Sequence, residues 1–280
     1  MPTVPPAPSS SAATPGRPAE SHQARAVAES FGAEASRYDR ARPSYPRSLV
    51  ERITAASPGR RVLDVGCGTG IVARQFKAAG CAVLGVDPDP RMAGQARERG
   101  LEVEVATFET WEPNGRAFDA VVAGQAWHWV DPVAGAAKAA SALRPGGRFA
   151  VFWNVFEPPA GLGKAFGDAY RRVLPDVPSG LWDRPLLGIY ETMGAKAADG
   201  MRQAGAFGEP EQWRFGWERP YTRDEWLEQV PTFGGFSRIP PDQQERILAG
   251  IGAAIDAGGG GFTMSFTTLA VTAARAGDTA

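Results

Sequence analysis

Through the first half of the chain, short apolar runs alternate with stretches of helical period. Residues 46–56 place Leu49, Val50 and Ile53 on one helical face. Residues 61–65 form an apolar strand, and a helix over 70–79 follows, closed by Gly80. A second strand, 82–86, leads to a helix that starts near Pro90 and ends at Gly100. The third strand covers 101–106 and the fourth 118–123. Asp131 and Pro132 read as an N-cap and a first helical position, with the helix running to Leu143. The turn Arg144-Pro145-Gly146-Gly147 then opens a fifth strand, 148–154. Strands and helices alternating at this spacing predict an α/β fold: a doubly wound, mostly parallel sheet with right-handed crossovers.

The pattern changes after residue 154. Residues 155–206 hold helical stretches without a clear strand and predict a helical lid insertion. Residues 211–219 alternate as a strand, 224–230 and 241–257 read as helices, and 263–270 as a last strand. The chain thus divides into a tail (1–25), a ligand-binding core (26–154), the lid (155–206) and a C-terminal part (207–275) that completes the sheet. Residues 1–20 are rich in Pro, Ser and Ala, which predicts disorder and no secretory signal.

Charge narrows the partners. The formal net charge is −1, with 30 basic and 31 acidic residues, so no electrostatic footprint for nucleic acid or an anionic membrane is expected. No apolar run reaches the length of a membrane span. Cys67 and Cys81 are the only cysteines. They fall at opposite ends of the predicted parallel sheet, which excludes a disulfide and fits a cytoplasmic protein. Two scattered cysteines and two histidines make no metal site.

The sequence from Val62 to Gly70, Val-Leu-Asp-Val-Gly-Cys-Gly-Thr-Gly, carries the chemistry. Gly66, Gly68 and Gly70 let the backbone turn tightly and approach a ligand. The following helix points its N-terminus at that ligand, where dinucleotide enzymes hold a pyrophosphate. Asp64 would repel a phosphate there and attract a cation. The spacing is G-x-G-x-G rather than the dinucleotide G-x-G-x-x-G. Asp87, about 20 residues on, suits ribose hydroxyls. A cofactor with a ribose, an ammonium, a sulfonium and no phosphate meets all of this: S-adenosylmethionine. A nicotinamide-dependent oxidoreductase is the rival for the same strand–turn–helix, and the glycine spacing and Asp64 argue against it.

These motifs resemble the class I S-adenosylmethionine-dependent methyltransferases, in the small-molecule branch similar to trans-aconitate and ubiquinone/menaquinone-biosynthesis enzymes. The resemblance covers roughly residues 28–155 and includes Phe118-Asp-Ala-Val-Val122 and Leu143-Arg-Pro-Gly-Gly147. It implies a Rossmann-like, seven-stranded sheet whose last strand is antiparallel. It places Asp64, Gly66, Cys67 and Gly68 around the methionine moiety, Asp87 on the ribose, and Pro88 and Met92 beside the adenine. Thr107 and Phe108 stand where the family usually has an acid reading the adenine amino group. Gly124 and Gln125 would lie near the reactive methyl. Tyr38 and Arg42, with Pro43, Tyr45 and Pro46, resemble the segment that closes over the cofactor.

Methyl transfer to a hydroxyl, phenol or acidic C–H gains from a general base. His128 follows the fourth strand, at the sheet edge where such folds place their sites, and is the candidate. Positioning the acceptor and simple packing between Trp127 and Trp129 are its other readings. Asp131 is better explained as a helix cap than as an acid. Trp153, Phe156, Trp182, Tyr190, Trp213, Trp217, Phe233 and Phe236 either line an apolar or aromatic acceptor pocket or pack as ordinary core. A nucleic-acid enzyme is disfavoured, because the residues after strand four read Gly-Gln-Ala-Trp-His-Trp and not an Asn/Asp-Pro-Pro-aromatic turn. A non-catalytic S-adenosylmethionine-binding protein keeps every one of these motifs and stays open.

Overall fold

A computed structural model describes residues 32, 34–175, 182 and 186–277. The expected tail, with His22 in it, lies outside these residues.

The described residues form one seven-stranded sheet in the order β3-β2-β1-β4-β5-β7-β6. β1 is Arg61–Val65, β2 Ala82–Asp87, β3 Glu102–Val105 and β4 Phe118–Gly124. β5 is Leu143–Glu157, β6 Glu211–Thr222 and β7 Gly261–Ala274. β3 to β5 pair in parallel, and β7 runs antiparallel between β5 and β6. The sheet is buried on both faces, as parallel sheets are, and its central strands are almost wholly apolar.

Pleating sorts the side chains of β1. Leu63 and Val65 join one core with Trp127, Phe149 and Met201. Val62 joins the opposite core with Leu49, Ile53, Val72 and Phe76. The first core is covered by α5 (Pro132–Ala142) and α7 (Leu187–Ala204). The second is covered by α2 (Arg47–Ala55) and α3 (Ile71–Ala78). α4 (Pro90–Glu98) packs on β2 and β3, capped by the Asp89 carboxylate on the Arg91 N–H.

The segment 155–206 is not one lid. Its first residues continue β5, which pairs with β7 out to Glu157 and Ser265. α6 (Ala160–Val173) packs on α9 (Pro241–Ala257), while α7 lies against α5 and β7 as a layer of the sheet. Small residues explain the second placement. Gly194, Ala197 and Gly200 are buried in α7, and a β-carbon on Gly200 would strike the Pro132 carbonyl. Close approach through glycine and alanine leaves no apolar stripe to read. The turn expected at residues 144–147 lies inside β5 as an interruption: Phe118 pairs with Leu143 but Ala120 with Arg148, and Gly146 has φ +74°.

β5, β6 and β7 outrun the parallel strands. Their far ends, with α6, α8 (Arg223–Gln229) and α9, build a third core around Phe166, Trp226, Ile251 and Phe266. This cap stands over the C-terminal edge of the sheet. α1 (Ala35–Ala41) joins the two parts. Asp39 pairs with Arg74 and Arg99 on the core side, at 2.6 and 3.1 Å, and Arg40 pairs with Glu228 on the cap, at 2.9 Å.

Candidate functional site

The C-terminal ends of β1, β2 and β4 open into a cavity of about 880 Å³ beneath the cap. Its size fits a nucleoside-bearing cofactor together with a second small molecule. Among the sequence-derived candidates, Tyr38, Arg42, Gly66, Cys67, Gly68, Asp87, Pro88, Met92, Thr107, Phe108, Gly124, Gln125 and His128 all line it.

The glycine turn is built as the sequence predicts. Gly66, Gly68 and Gly70 have φ values of +65°, +55° and +84°. A β-carbon on Gly66 would sit 2.5 Å from the Ala126 methyl, so the turn presses against the loop after β4. Asp87 fastens the turn from β2: its carboxylate accepts the Gly68 N–H at 2.8 Å and the Asp89 N–H at 2.9 Å. Burial pushes its pKa up to about 6, against the pull of those two N–H groups. Each oxygen keeps a further lone pair that a ribose hydroxyl can use.

Asp64 departs from the expected arrangement. It does not line the cavity, because pleating puts it on the face of Val62, toward the first turn of α3. It is fully buried, and both carboxylate oxygens lack a hydrogen-bond partner among the described residues. Burial, then the charge of Asp87, raises its pKa well above its ordinary value.

The electrostatics of this end suit a cofactor without phosphate. The carboxylates on the wall around the turn are Asp87, Asp89 and Glu109, and Asp89 is paired with Arg91. Glu109 was not picked out from the sequence. It directly follows Phe108, on the loop after β3, next to the position where the family's usual acid is absent. These carboxylates oppose a pyrophosphate at the turn. A ribonucleoside carrying ammonium and sulfonium charges fits both the acids and the glycine cradle.

The other wall is set by the loop after β4. Gln125 has φ +55°, a left-handed conformation uncommon outside glycine. It is held there by its own N–H on the Phe152 carbonyl and by its side-chain oxygen, which accepts the Asn154 N–H at 3.0 Å. Asn154 in turn donates to the Ser44 carbonyl and accepts from Thr268. Asn154 also lines the cavity and was missed, since the apolar run of β5 gave no sign that a polar side chain would face the site.

His128 stands on the cavity wall with one ring nitrogen already engaged. The Trp153 indole N–H, which can only donate, points to His128 Nδ1 at 3.3 Å. The proton of the neutral ring then sits on Nε2, so the ring offers a donor and no free lone pair. Burial lowers its pKa to about 4, which keeps it neutral near pH 7. Of the aromatic candidates, Phe156, Trp182, Tyr190, Phe233 and Phe236 line the cavity under the cap, whereas Trp153, Trp213 and Trp217 do not. Asp131 caps α5, accepting from the Val133 and Ala134 N–H groups. Cys67 and Cys81 are buried and free. Among the described residues no helix is long and apolar enough to cross a membrane, and no cluster of His, Cys, Asp and Glu could hold a metal ion.

Known proteins agree with this geometry. A family model described as a methyltransferase domain matches residues 38–168. An uncharacterised methyltransferase of Mycobacterium tuberculosis is 38% identical over 151 residues, 53% of this chain and 61% of its own. The trans-aconitate 2-methyltransferase of Mycobacterium ulcerans is 39% identical over 95 residues, 32% of this chain and 34% of its own. The chain therefore spans under two thirds of the curated relatives it matches. A solved structure from Anaeromyxobacter dehalogenans, described as a candidate type II methyltransferase, shares the fold with a TM-score of 0.61 and 22% identity, covering 85% of this chain and 99% of its own. The glycine turn over Asp87, the sheet order and these likenesses coincide on the same residues: the segment 38–168 is similar to a methyltransferase domain, set in a fold shared with a solved methyltransferase structure.

Proposed function

We propose that the protein transfers the methyl group of S-adenosylmethionine to a small organic acceptor held under the cap. The observation that carries this reading is the turn itself: left-handed glycines fastened over a buried Asp87 whose carboxylate can still accept two hydroxyls. When bound, the cofactor supplies an electrophilic methyl on a sulfonium. The chain's own contribution is to bind, orient and exclude water. Asp87 takes the ribose, Met92, Pro88 and Phe108 flank the base, and Tyr38 and Arg42 cover the cofactor from α1 and the residue after it. The aromatic wall of Phe156, Trp182, Tyr190 and Phe233 accommodates an apolar or aromatic acceptor.

The binding test is thermal. A hundredfold excess of S-adenosylhomocysteine over its dissociation constant stabilises a protein by about 2.7 kcal/mol, enough to raise the melting temperature by several degrees. NAD should leave it unchanged. A shift with NAD and none with S-adenosylhomocysteine would reject the reading.

In this reading His128 is a positioning donor. His128→Gln keeps an N–H and should hold kcat/KM within about fivefold, whereas His128→Ala should lose about tenfold or more, the worth of one hydrogen bond. Neither should change S-adenosylhomocysteine affinity. An acidic limb near pH 4 in kcat/KM that disappears in His128→Gln would restore the base role.

A further inference from the structure

The two edges of the sheet differ in length. β3, at one end, has 4 residues, and β6, at the other, has 12. An exposed edge is ordinarily short or covered, because its unpaired N–H and C=O groups invite a further strand. Among the described residues β6 pairs with β7 alone. The ladder fixes which of its backbone groups point outward. Its register continues past the strand to the Arg223 N–H, which donates to the Gly260 carbonyl at 3.0 Å. Antiparallel pairing alternates, so the odd-numbered residues of β6 face β7. Gln212, Arg214, Gly216, Glu218 and Pro220 therefore face out. Pro220, which has no N–H, falls in the set where an edge strand tolerates it.

Gly216, near the middle of the strand, is not required by its own chain. It is exposed, its φ is not positive, and a β-carbon there would meet nothing within 4 Å. The pairing with β7 passes through it without a bulge. Glycine weakens a strand interior, and an unbulged one suits the close approach of another backbone. Arg214 and Glu218 stand two residues to either side, both exposed and on one face. Arg214 already holds Glu191 of α7 at 2.7 Å, and its guanidinium has donors left for a second carboxylate. On the opposite face Phe215 and Trp217 are half-buried.

We propose that β6 pairs antiparallel with β6 of a second copy of this chain, about a two-fold axis between the two Gly216 residues, and joins the two sheets into one. In this register every outward N–H from Gln212 to Glu218 meets a carbonyl. Arg214 of each copy faces Glu218 of the other, on both sides of the axis, and Phe215 faces Trp217 on the opposite face. Charge selects this register over its neighbours. Centring the axis on residue 214 or 218 sets Arg against Arg or Glu against Glu. Centring it on 215 or 217 leaves Arg214 opposite Gly216 or Pro220.

The test is sedimentation velocity of the full chain over a dilution series. The parent should form a reversible dimer at twice the chain mass of 29.7 kDa. Arg214→Glu and Glu218→Arg should each weaken it by about tenfold or more, since each sets like charges directly opposite on both sides of the axis. Mixing the two variants should restore the dimer, because every altered position then meets its opposite. The double variant Arg214→Glu/Glu218→Arg should restore it within one chain. Both single variants should keep the circular dichroism of the parent. If Arg214→Glu does not, for want of its pair with Glu191, the series Glu218→Gln and Glu218→Arg decides, with the loss growing along it. A parent that stays monomeric at every concentration overturns the proposal. So does a dimer that Glu218→Arg leaves unchanged, and so do folded single variants that fail to pair on mixing.

Discussion

An Asp87→Ala variant should bind S-adenosylhomocysteine about a hundredfold more weakly than the parent protein, a loss of about 3 kcal/mol. Two effects add. The ribose loses a charged acceptor, and hydrogen bonds to charged groups are worth about 1.5–3 kcal/mol each. The Gly68 N–H also loses its partner, so the turn is no longer fastened to β2. The same residue sets a pH dependence. With its pKa raised to about 6 by burial, Asp87 is increasingly protonated below that value, and a neutral carboxyl is the poorer acceptor. Affinity should therefore fall below pH 6, by up to tenfold per unit. Stability without ligand follows the opposite slope. Between about pH 4 and 6 the folded protein holds this proton more tightly than the unfolded chain, so the contribution of Asp87 to stability declines as pH rises through that window and is level above it. Calorimetric titration from pH 5 to 8 checks the first slope, and Asp87→Asn should flatten it. A parent-like dissociation constant in Asp87→Ala would show that the ribose is held elsewhere.

Gly66→Ala should destabilise the fold by about 2–4 kcal/mol. A non-glycine residue at φ +65° costs about 1–2 kcal/mol by itself. The new methyl would also lie 2.5 Å from that of Ala126, so the turn or the loop leading to His128 must move. Gly68→Ala is the control. Its φ is equally unfavourable, but its β-carbon would meet only the mobile end of Met92, at 3.4 Å. Denaturant unfolding should rank Gly66→Ala below Gly68→Ala by about 1 kcal/mol or more. Equal losses would mean that the contact with Ala126 costs nothing.

How far the chain could be read depended on the range of the interactions. The βαβ half was legible because its signals are local: glycine at helix ends, proline at helix starts, apolar runs of strand length. The span 241–257 was read as a helix and is α9. The glycine turn and Asp87 were readable for the same reason, as neighbours in one strand–turn–helix unit. What escaped depends on distant partners. The pleat sends Asp64 away from the cavity, and only the packing of Val62 against α3 reveals it. The tautomer of His128 is set by Trp153, 25 residues later. The placement of α7 rests on glycines fitting against α5, which leaves no periodic trace.

The sheet order also dictates a sequence of assembly. β7 lies between β5 and β6, yet it is the last strand to be made. During synthesis the parallel half has everything it needs to form early, and it must then wait with β5, whose interior positions are almost all apolar, as an open edge. The floor of the cavity thus precedes its roof by more than a hundred residues of translation. Shortening the chain before β7 should leave a protein that still carries the glycine turn but clumps through its unpaired strand.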